Sequence, residues 1–573
     1  MKSIARVALL TLAGSLAFAG PKIASDMPVS SPNGMVEVIV QYRAFPNHGE
    51  SARLGLVHRS FRSIPAVHMT VPLASLVSLA ANPRVVYISP NRKTSSFLDI
   101  TTQTVKANEL WQSGFDGTGV GIAVIDSGVA AHKDLNSKDG LHSRIVFSES
   151  FVGDDASDDY GHGTHVAGIV AANGSQSTGS NFTHTFKGVA PNANIINLRV
   201  LDAKGSGTES EVIAAIDEAI ALKNTYNIRV INLSLGHPVY ESFTLDPLCQ
   251  AVEAAWKAGI TVVVAAGNLG RDNTLGTQGY ATITSPGNDP YVITVGAMNA
   301  NGTPWRNDDK IASYSSKGPS LVDHVVKPDI VAPGNNVVSL LASPNCTLAT
   351  EYPDTLVSTS TYEKSGTELS TEYFKLSGTS MATPVVSGAA ALMLQENPSL
   401  TPDAVKARLM KTATKHFARY TSATDVHQTG TFESAQDIFT VGAGYIDIES
   451  AVRNTDPVNF QALSPVAQYN AQNQTVKLVS ADEVIWGSDT PPNGAVIWGS
   501  AVIWGSAVIW GSSTNLEANA VIWGSAVIWG SSFVSDDAVI WGSAIVWGDA
   551  VIWGSSVPQS GGLQSAAVND GDL

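Results

Sequence analysis

The spacing of apolar residues changes several times along this chain, and each change marks a different kind of unit. Val7 to Phe18 is a short apolar stretch that follows Lys2 and Arg6 and ends in Ala17-Phe18-Ala19 before Gly20. That order predicts a secretory signal peptide over 1–19; an uncleaved membrane anchor is the competing reading, for which the run is short. Met35-Val-Glu-Val-Ile-Val-Gln-Tyr42 then alternates as a half-buried strand does, and Val85-Val-Tyr-Ile88 predicts a second strand. Between them, Leu73 to Ala80 has helical spacing and stops at Asn82-Pro83. Residues 20–97 are expected to form a small α+β unit, too small to be an enzyme by itself.

From 98 to 455 the pattern becomes near-continuous apolar strands alternating with helices. The strands are Gly119 to Ile125, Ile195 to Leu201, Arg229 to Leu233, Ile260 to Ala265 and Tyr291 to Val295, with helical stretches at Ser210 to Leu222 and Asp246 to Lys257. This predicts an α/β fold with a mainly parallel sheet and helices on both faces. Ligands in such sheets sit beyond the carboxyl ends of the strands, and Asp126 stands at that rim. Thr401-Pro402-Asp403 opens a late helix, with Thr as cap and Pro at the first helical position. Gly442 to Ile448 closes the domain, and a polar linker is expected over 456–481.

Residues 482–573 carry an internal repeat, Ala-Val-Ile-Trp-Gly-Ser, which holds nine of the 12 tryptophans. An even period keeps Val, Trp and Ser on one face of an extended chain, so a β-type repeat tail of stacked short strands is predicted. A stacked structural or export-related role is the preferred reading, with contact to a cell surface or glycans through the aromatics as the alternative, and the tail can self-associate.

Composition narrows the partners. The 573 residues include 34 Lys+Arg against 50 Asp+Glu, a formal charge of −16, which argues against nucleic acid and against a polybasic membrane-surface role. Of the two cysteines, Cys249 and Cys346, sequence leaves a disulfide and a pair of unlinked thiols equally open.

Three segments carry chemistry: Ala123-Val-Ile-Asp126-Ser-Gly-Val129, Gly161-His162-Gly-Thr-His165-Val-Ala-Gly168 and Ser377-Gly-Thr-Ser380-Met-Ala-Thr-Pro384. They supply a carboxylate, an imidazole and a hydroxyl, the set that turns serine into a nucleophile. His162 is the preferred base and His165 structural, since a metal pair would need a third ligand and a Glu after the first His. Ser380 precedes a small-residue helix, and Gly-Thr-Ser-Met-Ala is not the nucleophile elbow of the α/β-hydrolases. Asn268, closing Val264-Ala-Ala-Gly-Asn268, can donate to an oxyanion. The acidic run Asp154, Asp155, Asp158 and Asp159 is read as a solvated loop, with a preference for basic substrate residues as the lesser reading.

These four segments resemble the subtilisin-like serine proteases, in which the order Asp…His…Ser is found. The resemblance spans roughly 98–455. It implies Asp126 as orienter, His162 as base then acid, Ser380 as nucleophile and Asn268 as oxyanion donor, with no cofactor for catalysis. It further implies that Ser234-Leu235-Gly236 pairs with an extended peptide substrate and that Ser206-Gly207 lines its other edge. The primary pocket, walled by 234–236 and 265–267, carries no charge. Structural calcium is an expectation of the family, and Asp134 in His132-Lys-Asp-Leu135 matches a ligand position. By the same resemblance, 20–97 is an inhibitory propeptide released by self-cleavage near 89–98. The function implied is a secreted serine endopeptidase. An esterase, a processing peptidase of restricted specificity and an adhesive protein in which the tail is primary are the alternatives.

Overall fold

The computed structural model describes residues 22–23, 27, 34–46, 55–60, 65–90, 98–470 (except 154, 275, 416, 419 and 426–429), 475–479, 563–565 and 571–572. The signal peptide expected over 1–19, residues 91–97 of the processing region expected near 89–98, and residues 482–562 of the expected repeat tail lie outside them. The described residues fall into two compact units, within 1–94 and 95–573.

The first unit is a four-stranded antiparallel sheet in the order Leu56–Ser60, Ala66–Pro72, Met35–Tyr42, Val85–Pro90, with a helix at Leu76–Ala81. Val36, Val38, Val40 and Tyr42 point to one face, as their alternation predicted, and bury against Val67, Met69, Val71, Leu76 and Leu79. Two of the four strands escaped the sequence reading. His58, Arg59 and His68 interrupt their apolar alternation, and only pairing reveals them, Ala66–Pro72 with Met35–Tyr42 and Leu56–Ser60 with Ala66–Pro72.

The second unit is built on an eight-stranded sheet. Its strands run Ile145–Ser150, Asn194–Arg199, Gly121–Asp126, Ile228–Leu233, Thr261–Ala265, Ile293–Asn299, after which Ile330–Pro333 and Lys310–Ile311 both pair with the last. All pairings are parallel except that of Lys310–Ile311. Gly121–Asp126 is buried along its whole length, as a strand covered on both faces must be. From this strand the chain goes first to one side of the sheet and later to the other. The order therefore reverses between Gly121–Asp126 and Ile228–Leu233, where a ligand crevice is expected.

Thr379–Glu396 is the central helix, buried from Thr379 to Leu394. Among the described residues no helix is long and apolar enough to cross a membrane.

The structure qualifies one expectation and decides between two readings left open. The polar stretch after 455 is not simply a linker: Val466–Asn470 and Thr475–Val479 form an antiparallel hairpin. Ser464 just before it donates to Asp329 at 2.5 Å, inside a fully buried cluster with Lys327 and Lys406. Ser464 thus serves buried charges, while Asn459, Gln461 and Gln468 are exposed. Cys249 and Cys346 are both buried and unlinked. Cys249 packs near Ser285 and Asn288, while Cys346 lies against Gly161.

Candidate active site

Asp126 is the last residue of its strand, and His162 is the first residue of the helix His162–Ala171. Asp126 Oδ1 lies 2.7 Å from His162 Nδ1 and accepts the Ser127 N–H at 2.7 Å, with both side chains fully buried. The glycines around the histidine explain how it gets so close. A Cβ on Gly163 would stand 2.2 Å from the Gly128 carbonyl oxygen, so only glycine lets the helix start against the strand end. Gly161 caps the helix at φ 100, a left-handed conformation that other residues rarely adopt.

A clamp secures this approach. Asp158 Oδ1 accepts from Ser127 Oγ at 2.8 Å and from the Gly161 N–H at 2.7 Å, and its Oδ2 accepts from the Thr164 N–H at 2.8 Å. Ser127 Oγ in turn accepts the Gly163 N–H at 2.9 Å. One carboxylate thus ties the residue after Asp126 to the backbone on both sides of His162. The acidic run therefore does not behave as a single solvated loop: Asp155 is exposed and bonds Ser157, but Asp158 is 5 % exposed. Its place four residues before the histidine was the available signal.

Burial pushes the Asp158 carboxyl up to about 6, against hydrogen bonds from Thr164, Gly161 and Ser127 that pull it down. Between about pH 4 and 6 the folded chain therefore holds a proton that the unfolded chain has released. Stability contributed by this group is present below that window and declines as pH rises through it, by up to roughly 3 kcal/mol. Urea unfolding in a Ser380→Ala background should show a pH dependence from 4 to 7 that Asp158→Asn flattens. Identical slopes in the two chains would refute the assignment.

His165 faces away from this pair, its Nε2 3.0 Å from the Val337 carbonyl. Burial, with His162 beside it, pushes the imidazole down to about 3, so it stays neutral.

Ser380 is the second residue of the helix Thr379–Glu396. Its hydroxyl donates to the Ser234 carbonyl at 2.9 Å. Reciprocally, Ser234 Oγ donates to the Ser380 carbonyl at 2.9 Å. Pro384 explains the second bond. Lacking an N–H, it cannot serve the carbonyl four residues earlier, and Ser234 takes its place. Ser234 is itself held by the Asn232 amide at 3.0 Å, and Asn232 by Ser387 at 2.8 Å. His162 Nε2 is buried without a hydrogen-bond partner among the described residues. The structure thus joins Asp126 to His162 and parks the serine hydroxyl on Ser234. Such bonds commonly tighten only when substrate is bound.

Asn268 Oδ1 accepts the Thr379 N–H at 2.9 Å and the Thr379 hydroxyl at 3.1 Å. Fixing the oxygen on the residue before Ser380 makes the amide nitrogen the end that can serve a reacting carbonyl.

Ser206–Gly207 and Leu235–Gly236 are two short strands that flank a common neighbour. Leu563–Ser565 lies between them, antiparallel to both, with Leu563 opposite Gly207, Gln564 opposite Ser206 and Gly236, and Ser565 opposite Leu235. Both edges thus accept an extended segment through main-chain pairing.

Asp134 does not fit a calcium ion. Its Oδ1 accepts from Ser175 Oγ at 2.8 Å and from the Gln176 N–H at 2.8 Å, and its Oδ2 from the Tyr373 hydroxyl at 2.7 Å. Calcium needs a cage of oxygen lone pairs, and this buried carboxylate is surrounded by donors instead.

Residues 117–436 match the Subtilase family. The chain belongs to this family. It is 42% identical over 351 residues to Serine protease AprX of Bacillus subtilis (strain 168), covering 60% of this chain and 72% of that protein. It is 34% identical over 369 residues to Subtilisin E of the same organism, covering 64% of this chain and 79% of that protein. A solved structure described as a cold adapted subtilisin-like serine proteinase shares 32% identity, covers 53% of this chain and 85% of its own, and superposes with a TM-score of 0.37. As a subtilase, the chain is a serine endopeptidase that acts on polypeptides and needs no cofactor for catalysis.

Proposed function

We propose that this subtilase is a secreted endopeptidase that cuts extended polypeptides by way of an acyl-enzyme on Ser380 and is made as a self-processing precursor. The buried Asp126–His162 pair at 2.7 Å, with His162 on a helix packed against the one that carries Ser380, is the observation that supports this reading most directly.

The substrate strand enters between Ser206–Gly207 and Leu235–Gly236 and is read through its backbone. Uncharged walls at 234–236 and 265–267 favour uncharged side chains next to the cleaved bond. Ser380 Oγ leaves the Ser234 carbonyl and attacks the substrate carbonyl carbon while His162 Nε2 takes its proton. Asp126 keeps the proton of His162 on Nδ1 and offsets the positive charge that forms. The oxyanion is met by the Asn268 amide and the Ser380 N–H, one of the first helical N–H groups and hence without an intrahelical acceptor. His162 returns the proton to the leaving amine, the C–N bond breaks, and water repeats the sequence on the ester. Residues 20–97 act as the propeptide, supported by their separate compact fold, and residues 1–19 direct export.

Asn268→Ala tests the oxyanion role. We expect kcat on a chromogenic peptide to fall about 10²–10³-fold with KM changed less than about threefold. A KM effect with kcat intact would remove Asn268 from the transition state.

A further inference from the structure

Asp572 is fully buried in a pocket that the proposed reaction does not use. Its Oδ1 accepts from Arg271 at 2.9 Å and from the Ser313 hydroxyl at 2.5 Å, and its Oδ2 accepts the Ser313 N–H at 2.6 Å. Its backbone is read as well. Asn335 accepts the Asp572 N–H at 2.8 Å and donates to its carbonyl at 2.8 Å, and Asn336 donates to the same carbonyl at 3.1 Å. The Arg271 guanidinium lies over the rings of Phe432 and Tyr314, 4.9 and 5.7 Å from their centroids, which fixes the cation before any carboxylate arrives. Carboxylate, N–H and C=O of one residue are thus all matched, a set of contacts that suits an acidic residue in a peptide.

Two described pieces of the same C-terminal region, Leu563–Ser565 and Gly571, stand near the nucleophile. Ser565 pairs with Leu235, the neighbour of Ser234, on which the Ser380 hydroxyl rests. A Cβ on Gly571 would stand 2.4 Å from Ser377 Oγ, three residues before Ser380. Ser380 and His162 are both 0 % exposed.

We propose that Arg271, Ser313, Asn335 and Asn336 form a docking pocket for an acidic residue, and that Asp572 in this pocket holds Leu563–Ser565 between Ser206–Gly207 and Leu235–Gly236 as a ligand in cis. This rests on the reading of 206–207 and 235–236 as the substrate groove. Being tethered, the segment competes with substrate at a high effective concentration, which a modest affinity suffices to exploit. Its anchor is one buried charge pair, so losing Asp572 leaves Arg271 unmatched and releases the strand.

The test compares the full chain with its Asp572→Ala and Asp572→Asn variants on a short chromogenic peptide. Release should lower the apparent KM about tenfold or more with kcat unchanged. A synthetic peptide of sequence 563–573, added to the Asp572→Ala chain, should restore competitive inhibition, and the same peptide with Asp572→Ala should inhibit at least tenfold more weakly. Equal KM values in all three chains, or equal inhibition by both peptides, would overturn the proposal. Anisotropy of the labelled peptides on the Ser380→Ala, Asp572→Ala chain separates the two readings. Aspartate-dependent binding without any hydrolysis by the wild-type chain would sink the proteolytic reading and keep the pocket. Binding that ignores the aspartate would sink the pocket alone.

Discussion

Ser380→Ala is expected to lower kcat/KM on casein or a chromogenic peptide by at least about 10⁴-fold, leaving a folded protein. Folding should survive because the lost hydroxyl makes a single hydrogen bond, to the Ser234 carbonyl, while the Ser380 carbonyl keeps its partner in Ser234 Oγ. Leaving the buried Ser234 carbonyl without this donor costs about 1–3 kcal/mol, against a loss of chemistry worth more than about 5 kcal/mol. The variant should also accumulate as a larger precursor that retains residues 20–97. Two readouts therefore test one hydroxyl. Equal digestion by both chains would remove Ser380 from the mechanism. A fully processed variant, in a host lacking other proteases, would remove self-cleavage while leaving catalysis standing.

What could be read from the residues depended on whether their partners were local. Asp126 was legible because an unbroken apolar run must end somewhere, and in a parallel sheet it ends at the rim where ligands bind. The glycines beside His162 advertise a tight backbone approach, and the structure supplies the obstacle they avoid, the Gly128 carbonyl. Asp158 was misread because an acidic run looks solvated. Its partners, Ser127 and the backbone around His162, come together only after strand and helix meet. Asp134 failed in the opposite direction: its motif suggested an ion, yet Tyr373, from far along the chain, donates where a cation would sit. The short strand Leu563–Ser565 has no periodicity to read at all. Its existence is set by the two edges that receive it.

Asp126→Asn should separate orientation from charge. Asp126 Oδ1 takes both the Ser127 N–H and His162 Nδ1, whereas Oδ2 has no hydrogen-bond partner among the described residues. An asparagine can therefore place its carbonyl oxygen at the Oδ1 position and keep both contacts, with its amide turned toward Oδ2. The ring stays in place, but the negative charge that offsets the imidazolium is gone. We expect kcat to fall about 10³–10⁴-fold with KM nearly unchanged, since Asp126 touches no substrate. Stability should fall by about 1–2 kcal/mol in a Ser380→Ala background, because the new amide N–H groups sit where the buried Oδ2 has no partner among the described residues, while the Ser127 N–H and the His162 Nδ1–H keep their acceptor. Asp126→Ala, by contrast, strands the Ser127 N–H and the His162 Nδ1–H and should destabilise the fold by about 2–4 kcal/mol. Should the asparagine chain lose stability as the alanine chain does, the kinetic loss would reflect a displaced His162. Should it retain full activity, Asp126 would hold the histidine without contributing its charge.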